Sequence, residues 1–98
     1  MNAFILSPEA ERDLDIIKNY LLEEAGPRVA RHVMRQLREG MRLVGKNPGL
    51  GHVREDLTGK PARFWAVFSY LIVYDPATKP VGIARVLHGK RNVEEILH

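Results

Sequence analysis

Two consecutive helices are predicted from residues 7–46, whose sequence is SPEAERDLDIIKNYLLEEAGPRVARHVMRQLREGMRLVGK. The first begins at Ser7-Pro8, because serine is a favoured N-cap and proline suits the first helical position. Gly26-Pro27 ends this helix and begins the second, which extends to about Lys46. Because the connection is so short, the pair is expected to form a hairpin.

Each predicted helix has one apolar face, since apolar side chains recur at the spacing of 3.6 residues per turn. In the first helix this face consists of Ala10, Leu14, Ile17 and Leu21, widened by Ile16 and Tyr20. In the second helix it consists of Val29, Val33, Met34, Leu37, Met41 and Val44. Opposite the second apolar face, within roughly 80° of arc, lie Arg28, Arg31, Arg35, Arg38, Arg42 and Lys46.

The chain outside the hairpin changes to a period typical of strands. Ala3–Leu6 is a short first strand, and Phe64–Val67, Tyr70–Asp75 and Gly82–His88 are rich in aromatic and β-branched residues. The polar stretch from His52 to Arg63 is expected to be a loop. The predicted fold is therefore α+β, a single domain over residues 1–98: an N-terminal strand, a helical hairpin, then a three-stranded antiparallel unit that completes one sheet. A last turn of helix is possible after Asn92.

Composition restricts the function. The chain has no cysteine, which excludes disulfides and thiolate zinc sites, and no apolar run long enough to span a membrane. The N-terminus lacks the pattern of a signal peptide, so a cytoplasmic protein is expected. Residues 1–26 carry two basic and six acidic side chains, a net charge of −4, whereas residues 27–98 carry thirteen basic and six acidic ones, a net charge of +7. This asymmetry favours an acidic partner, either nucleic acid or protein.

Four blocks resemble the RelE/ParE toxin superfamily, and the ParE branch most closely. They are residues 4–14, the turn at 47–51 with residues 54–57 after it, Tyr70–Tyr74, and the closing strand with its basic turn at 83–92. The resemblance implies the toxin of a type II toxin–antitoxin pair, held in a hetero-oligomer by a ParD-like or related antitoxin. The ParE branch is associated with poisoning DNA gyrase, and the RelE branch with cleaving mRNA on the ribosome. A relic that serves only as a structural partner of the antitoxin is a third possibility.

Candidate nuclease residues are present but incomplete. Cleavage at a 2′-hydroxyl needs a base, an acid and a cation for the phosphate charge. Positive charge could come from Arg63, Arg85, Lys90 and Arg91, and His88 or His98 could transfer a proton. No tyrosine follows Tyr74, however, although RelE-like nucleases often have one near the C-terminus. The preferred interpretation is therefore a toxin that acts by binding, with no metal and no cofactor, since metal-ligand and nucleotide motifs are absent.

Target contact is predicted for Lys90 and Arg91, because binding residues are common in turns, and for Trp65, because aromatic side chains often mark interfaces. The alternatives are a solvated turn and a ring that packs against the helices. Arg85 lies in an apolar strand and is expected to pair with Asp56, Glu55 or another carboxylate. His88 is expected to be a partly buried residue that fixes the strand end.

Antitoxin contact is predicted on the helical hairpin. The candidates combine the apolar stripe of the first helix with the basic stripe of the second, and the alternative for the basic stripe is a solvated helix face. They are Leu14, Ile17, Leu21, Arg31, Arg35 and Arg38.

Overall fold

The computed structural model describes residues 3–89 and 93–97, with Glu94 and Glu95 described through their backbone alone. The candidates Lys90, Arg91 and His98 lie outside the described residues. In chain order the elements are β1 (Phe4–Leu6), α1 (Pro8–Glu24), α2 (Pro27–Lys46), β2 (His52–Val53), β3 (Arg63–Val67), β4 (Tyr70–Asp75), β5 (Val81–His88) and α3 (Val93–Leu97). The predicted α+β fold is confirmed, and so are the bounds of the second helix.

Local sequence explains the helical hairpin. The Ser7 hydroxyl accepts a hydrogen bond from the Ala10 backbone N–H at 3.0 Å, which caps the first turn of α1. Between the helices Gly26 has φ +90°, a conformation that side chains disfavour and glycine adopts freely. Pro27 then starts α2, where its missing N–H costs nothing.

The five strands form one mixed sheet in the order β1-β5-β4-β3-β2. The edge strand β1 is parallel to β5, and the other neighbours are antiparallel. A two-residue connection joins β3 to β4, with Phe68 at φ +53°. The predicted loop from His52 to Arg63 is wrong at both ends. His52–Val53 forms the edge strand β2, and Arg63 begins β3, because these two segments pair with each other.

Both faces of the sheet are covered within the described residues, whereas the sequence predicted cover on one. The helical hairpin packs on the face that carries Ile72, Tyr74 and Ile83. On the opposite face a second cluster of Phe64, Val73, Leu87 and Val93 is closed by Leu57, Ile96 and Leu97. Because α3 and the loop before β3 bring these apolar residues together, the second face is a small core.

The buried face of α1 differs from the predicted stripe. Ala10, Asp13, Ile17 and Leu21 are buried. Ile16 and Tyr20, which the pattern placed at the margin of the apolar face, are 62% and 58% exposed. A carboxylate therefore lies inside the stripe, and two large apolar side chains lie outside it. No helix within residues 3–89 and 93–97 is long and apolar enough to cross a membrane.

The turn after α2 is tied to the sheet by Tyr74, whose side chain is fully buried. Its hydroxyl donates to the Pro48 carbonyl at 2.7 Å and accepts from the Gly51 N–H at 2.8 Å. A Cβ at Gly51 would clash with the Tyr74 hydroxyl, so glycine is required by space. Tyr74 thus fixes where the chain enters β2.

Removing this hydroxyl tests its role. Tyr74→Phe leaves the Gly51 N–H and the Pro48 carbonyl without their partner, and should lower the free energy of unfolding by about 1–3 kcal/mol. Chemical denaturation followed by circular dichroism measures the change. The control is Tyr20→Phe, which removes an exposed hydroxyl and should leave stability unchanged. Equal midpoints for the two variants would show that the hydroxyl does not hold the turn.

Candidate functional site

The most deeply placed charged group in the described chain is the Asp13 carboxylate, 8% exposed on the inner face of α1. Its two oxygens accept hydrogen bonds from the Arg85 guanidinium, at 2.8 Å from Nε and 3.0 Å from Nη2. The Val86 backbone N–H also donates to it, at 2.9 Å. These three hydrogen bonds compensate the free-energy cost of burying the Asp13 carboxylate.

The geometry of β5 explains why a carboxylate is needed here. Strand β1 pairs only with Val81–Ile83, and β5 then has an irregularity, since Val73 lies opposite Arg85 whereas Tyr74 lies opposite Ile83. Ala84 is the extra residue. Beyond this bulge the Val86 N–H points away from β4 with no β1 residue beside it. Asp13 supplies the missing acceptor from α1, so the helix completes the strand edge.

The expected pairing of Arg85 is confirmed, but the partner is Asp13 instead of Asp56 or Glu55. Asp56 is exposed and binds Arg54 within the same loop. Because Asp13 accepts hydrogen bonds from the Arg85 guanidinium, the pKa of Arg85 lies above its ordinary value. The arginine is therefore fully charged, and its two bonding nitrogens are engaged within the fold.

Arg63, the second nuclease candidate, also has a structural partner. Its guanidinium Nη1 donates to the Gly51 carbonyl at 2.7 Å and lies 3.5 Å from the Gly49 carbonyl. It thereby holds the same turn that Tyr74 holds. Arg63 and Arg85 are on β3 and β5, with β4 between them, and the structure does not bring their guanidinium groups to one site.

An apolar pocket of about 230 Å³ opens between α1 and the end of β5. We call it the aromatic pocket. Its lining residues are Asp13, Ile16, Ile17, Tyr20, Tyr70, Val86 and His88. His88 is half-buried, and its ring meets the Tyr70 ring edge to face, with the centroids 5.4 Å apart. Burial raises the pKa of the Tyr70 hydroxyl, which stays neutral at physiological pH.

This pocket is next to the predicted basic turn in the sequence, because Gly89, Lys90 and Arg91 follow His88. Two of its lining side chains, Ile16 and Tyr20, are large exposed side chains of α1. The exposed Phe68 lies near Tyr70 in the chain, and its ring is 5.9 Å from that of His32 on α2. Aromatic and aliphatic surface is thus concentrated at this end of the sheet, as in protein interfaces.

Target contact was predicted for Trp65 because aromatic side chains often mark interfaces, but its ring packs into the fold. It is half-buried and packs against the core beneath the helical hairpin, with its ring atom Cδ1 3.5 Å from where a Cβ on Gly40 would lie. Phe64, the alternating residue, is buried on the opposite face. The alternative in which the Trp65 ring packs against the helices describes the structure, and target contact by Trp65 stays a prediction.

Comparison with known proteins identifies the family. The family model described as the ParE toxin of the type II toxin–antitoxin system parDE matches residues 4–93. The chain belongs to the ParE toxin family. It therefore is the toxin component of a type II toxin–antitoxin system, and an antitoxin is its partner.

The fold of this ParE-family toxin is similar to a solved structure described as the chromosomal ParDE toxin–antitoxin system from P. aeruginosa. The TM-score is 0.71 at 19% sequence identity, and the alignment covers 87% of this chain and 92% of that one. At this identity the likeness concerns the fold alone. No curated protein matches the sequence.

The antitoxin candidates of this ParE-family chain fall into two groups. Ile17 and Leu21 are 8% and 9% exposed and belong to the core. Leu14 is half-buried, and the three arginines of α2 are exposed. Contact of these six residues with an antitoxin stays a prediction.

Within the described residues, no three histidine, aspartate or glutamate side chains are grouped as a metal site requires.

Sequence reasoning missed the buried role of Asp13 and the shared pocket of Tyr20 and Tyr70. Asp13 is three residues after Ala10 and four before Ile17, so its position inside the apolar stripe is visible in the sequence. That position alone predicts a buried carboxylate that needs a partner. Tyr20 and Tyr70 line one pocket only because α1 packs against β5, the strand beside β4, and no local pattern indicates this packing.

A double-mutant cycle tests the Asp13–Arg85 pair. Arg85→Ala leaves a nearly buried carboxylate without its cation, and should lower the free energy of unfolding by about 2–4 kcal/mol. Asp13→Ala should cost a similar amount. The double variant should cost less than the sum by at least about 1 kcal/mol, because the two residues share one interaction.

The matched control is Arg54→Ala. Arg54 makes the same two-pronged contact with Asp56, but on the surface, where the side chains are 43% and 63% exposed. Its loss should leave the unfolding midpoint unchanged. Strict additivity in the Asp13–Arg85 cycle would contradict the pairing described here.

Proposed function

We propose that this ParE-family toxin acts by binding DNA gyrase and does not cleave RNA. The observation that supports this is how the structure uses Arg63 and Arg85, the two of the four candidate cations that lie in the described residues. Arg85 holds Asp13, and Arg63 holds the carbonyls of Gly51 and Gly49. A nuclease needs such cations free to neutralise a phosphate in the transition state. Here their hydrogen bonds stabilise the fold, which leaves binding as the better-supported mode of action.

The surface we assign to the target is the aromatic pocket together with the basic turn after Gly89. An apolar cavity with exposed aliphatic and aromatic side chains can accept an anchoring side chain of a partner. Lys90 and Arg91 follow the pocket residue His88 and Gly89 in the sequence, and such cations favour a partner with acidic groups around that anchor. We further propose that a ParD-like antitoxin neutralises the toxin in a hetero-oligomer, and that both act in the cytoplasm, where gyrase and DNA are found.

Gyrase supercoiling of a relaxed plasmid tests the target. The purified toxin should block supercoiling in proportion to its concentration, and should leave mRNA intact on translating ribosomes. Cleaved mRNA with normal supercoiling would overturn the proposal in favour of a RelE-like endonuclease. Intact supercoiling and intact mRNA together would favour a chain that has lost its toxic activity.

The basic turn is tested by Lys90→Ala combined with Arg91→Ala. Desolvated charged contacts at an interface can cost about 2–5 kcal/mol when one partner is removed, so toxicity and gyrase inhibition should fall by about tenfold or more. The melting temperature and antitoxin binding should be retained. The comparison variant is Arg35→Ala with Arg38→Ala, which should keep full gyrase inhibition. The reverse ranking would move the target surface to α2.

Proton transfer is tested by His88→Gln and by His98→Gln, measured separately. Glutamine keeps a polar side chain of similar size but cannot titrate near neutral pH. Because a binding toxin needs no general acid or base, growth inhibition by His98→Gln should stay within about threefold of the wild type. His88 lines the aromatic pocket, so any loss of toxicity in His88→Gln should be matched by weaker gyrase binding and should not involve mRNA cleavage. A fall of about 100-fold in mRNA cleavage, with the melting temperature unchanged, would be the signature of general acid–base catalysis.

A further inference from the structure

The turn between β3 and β4 carries an exposed aromatic side chain on a disfavoured backbone. Among residues 3–89 and 93–97, Phe68 is the one residue other than glycine with a positive φ, at +53°. Two-residue hairpin turns with a positive φ prefer glycine, asparagine or aspartate, because a Cβ makes this conformation costly. For a large aromatic residue it is an outlier. The turn itself therefore does not explain a phenylalanine at position 68.

Packing within the chain does not explain Phe68 either. The residue is 62% exposed and belongs to neither of the two core clusters. Its ring lies against His32 of α2, with the ring centroids 5.9 Å apart and the planes tilted by 46°. Because His32 is itself exposed, this pair is a surface contact. Phe68 thus adds little to the stability of the core, since hydrophobic stabilisation scales with the apolar area removed from water.

The turn is joined to the surface that we assign to the target. The Gly89 N–H donates to the Ser69 carbonyl at 2.7 Å, so the residue after Phe68 is bonded to the residue before the basic turn. Tyr70, the residue after Ser69, lines the aromatic pocket and meets the His88 ring. Phe68 therefore lies at the same end of the sheet as the aromatic pocket.

A costly backbone conformation that holds an exposed side chain indicates a contact outside the chain. Such strain persists where function uses it and where the surrounding structure compensates it. Here the pairing of β3 with β4 and the bond from Gly89 hold the turn closed. The contact with His32 restricts the Phe68 ring before a partner arrives, so less conformational entropy is lost on binding. These are the properties of an interface anchor.

We propose that Phe68 is an anchor that the toxin inserts into an apolar cavity of gyrase. The aromatic pocket at the same end of the sheet accepts a side chain of gyrase in return, so that each partner inserts one side chain into the other. Duplex DNA or a lipid surface would cover the Phe68 ring but would leave the pocket without a matching side chain. This inference rests on the proposed function, and it adds a toxin residue that makes the contact.

Substitution of Phe68 by asparagine provides the test. Asparagine tolerates a positive φ, so Phe68→Asn removes the ring without straining the turn, and the melting temperature should not fall. The dissociation constant of the purified toxin for gyrase, measured by calorimetry, should rise by at least about tenfold, as expected for the loss of an interface anchor. Phe68→Tyr keeps the ring, and its dissociation constant should stay within about threefold of that of the wild type.

The matched control is Leu50→Asn. Leu50 is 39% exposed beside Gly51, whose carbonyl binds Arg63 at the start of β3, whereas Phe68 follows the end of that strand. Its loss should leave the affinity for gyrase unchanged. Equal weakening by both asparagine variants would overturn the proposal, because a general loss of apolar surface would then explain the effect. A melting temperature of Phe68→Asn more than about 5 °C below that of the wild type, with unchanged affinity, would show that the ring serves the fold instead.

Other occupants of the Phe68 ring are tested with the same variant. The probes are the protein encoded by the reading frame adjacent to the toxin gene, a duplex oligonucleotide and phosphatidylglycerol vesicles, and sedimentation measures self-association. Phe68→Asn should match the wild type in all four measurements. If the variant loses one of these interactions while its affinity for gyrase is kept, the ring belongs to that occupant and the proposal fails.

Growth inhibition on induced expression, compared at equal protein levels, separates this proposal from the gyrase assignment. If the toxic wild type does not bind gyrase and Phe68→Asn is harmless, the gyrase assignment fails while Phe68 stands as the anchor for the target. If the wild type and Phe68→Asn bind gyrase with equal affinity and inhibit growth equally, the anchor fails while the gyrase assignment stands. A wild type that neither binds gyrase nor inhibits growth would overturn both.

Discussion

The Asp13 carboxylate, with its three donors, is the interaction on which the arrangement of this domain depends. It lies where β1 stops, where β5 carries an extra residue and where α1 crosses the strand edge. Without an acceptor at this point the Val86 N–H would be buried without a partner, and without a cation the carboxylate itself would be destabilising. One side chain of α1 thus fixes the position of the helix over the sheet, and with it the floor of the aromatic pocket.

The same interaction determines what kind of chemistry the chain supports. An arginine on the closing strand of a small basic domain is a natural candidate for contact with phosphate. In this chain that arginine, Arg85, is bound to the Asp13 carboxylate through two hydrogen bonds, while Arg63 is bound to the turn after α2. The sheet face opposite the hairpin is a small core in the described residues. The fold leaves surface for binding at the end of β5, where the aromatic pocket lies.

Sequence predicted the parts of this structure that are determined locally. The bounds of α2 follow from Gly26-Pro27 and from Asn47-Pro48-Gly49, because capping and chain reversal act over a few residues. Strand β2 was missed because two exposed residues have no periodicity, and they are a strand only through pairing with β3. The partner of Arg85 was missed for a similar reason, since Asp13 is 72 residues away in the chain. The sequence predicts the target surface least well. Its two basic residues, Lys90 and Arg91, lie outside the described residues.

Amide hydrogen exchange of Val86, followed by nuclear magnetic resonance, tests the central claim most directly. In the wild type this amide should be protected although no strand lies on the side to which it points, because its proton is bound by Asp13. In Asp13→Ala its exchange should accelerate by at least about tenfold more than that of Leu87, which pairs with Leu71 across β4. Equal acceleration of both amides, or protection of Val86 that survives the substitution, would contradict the account, because the strand edge would then be held by something other than this carboxylate.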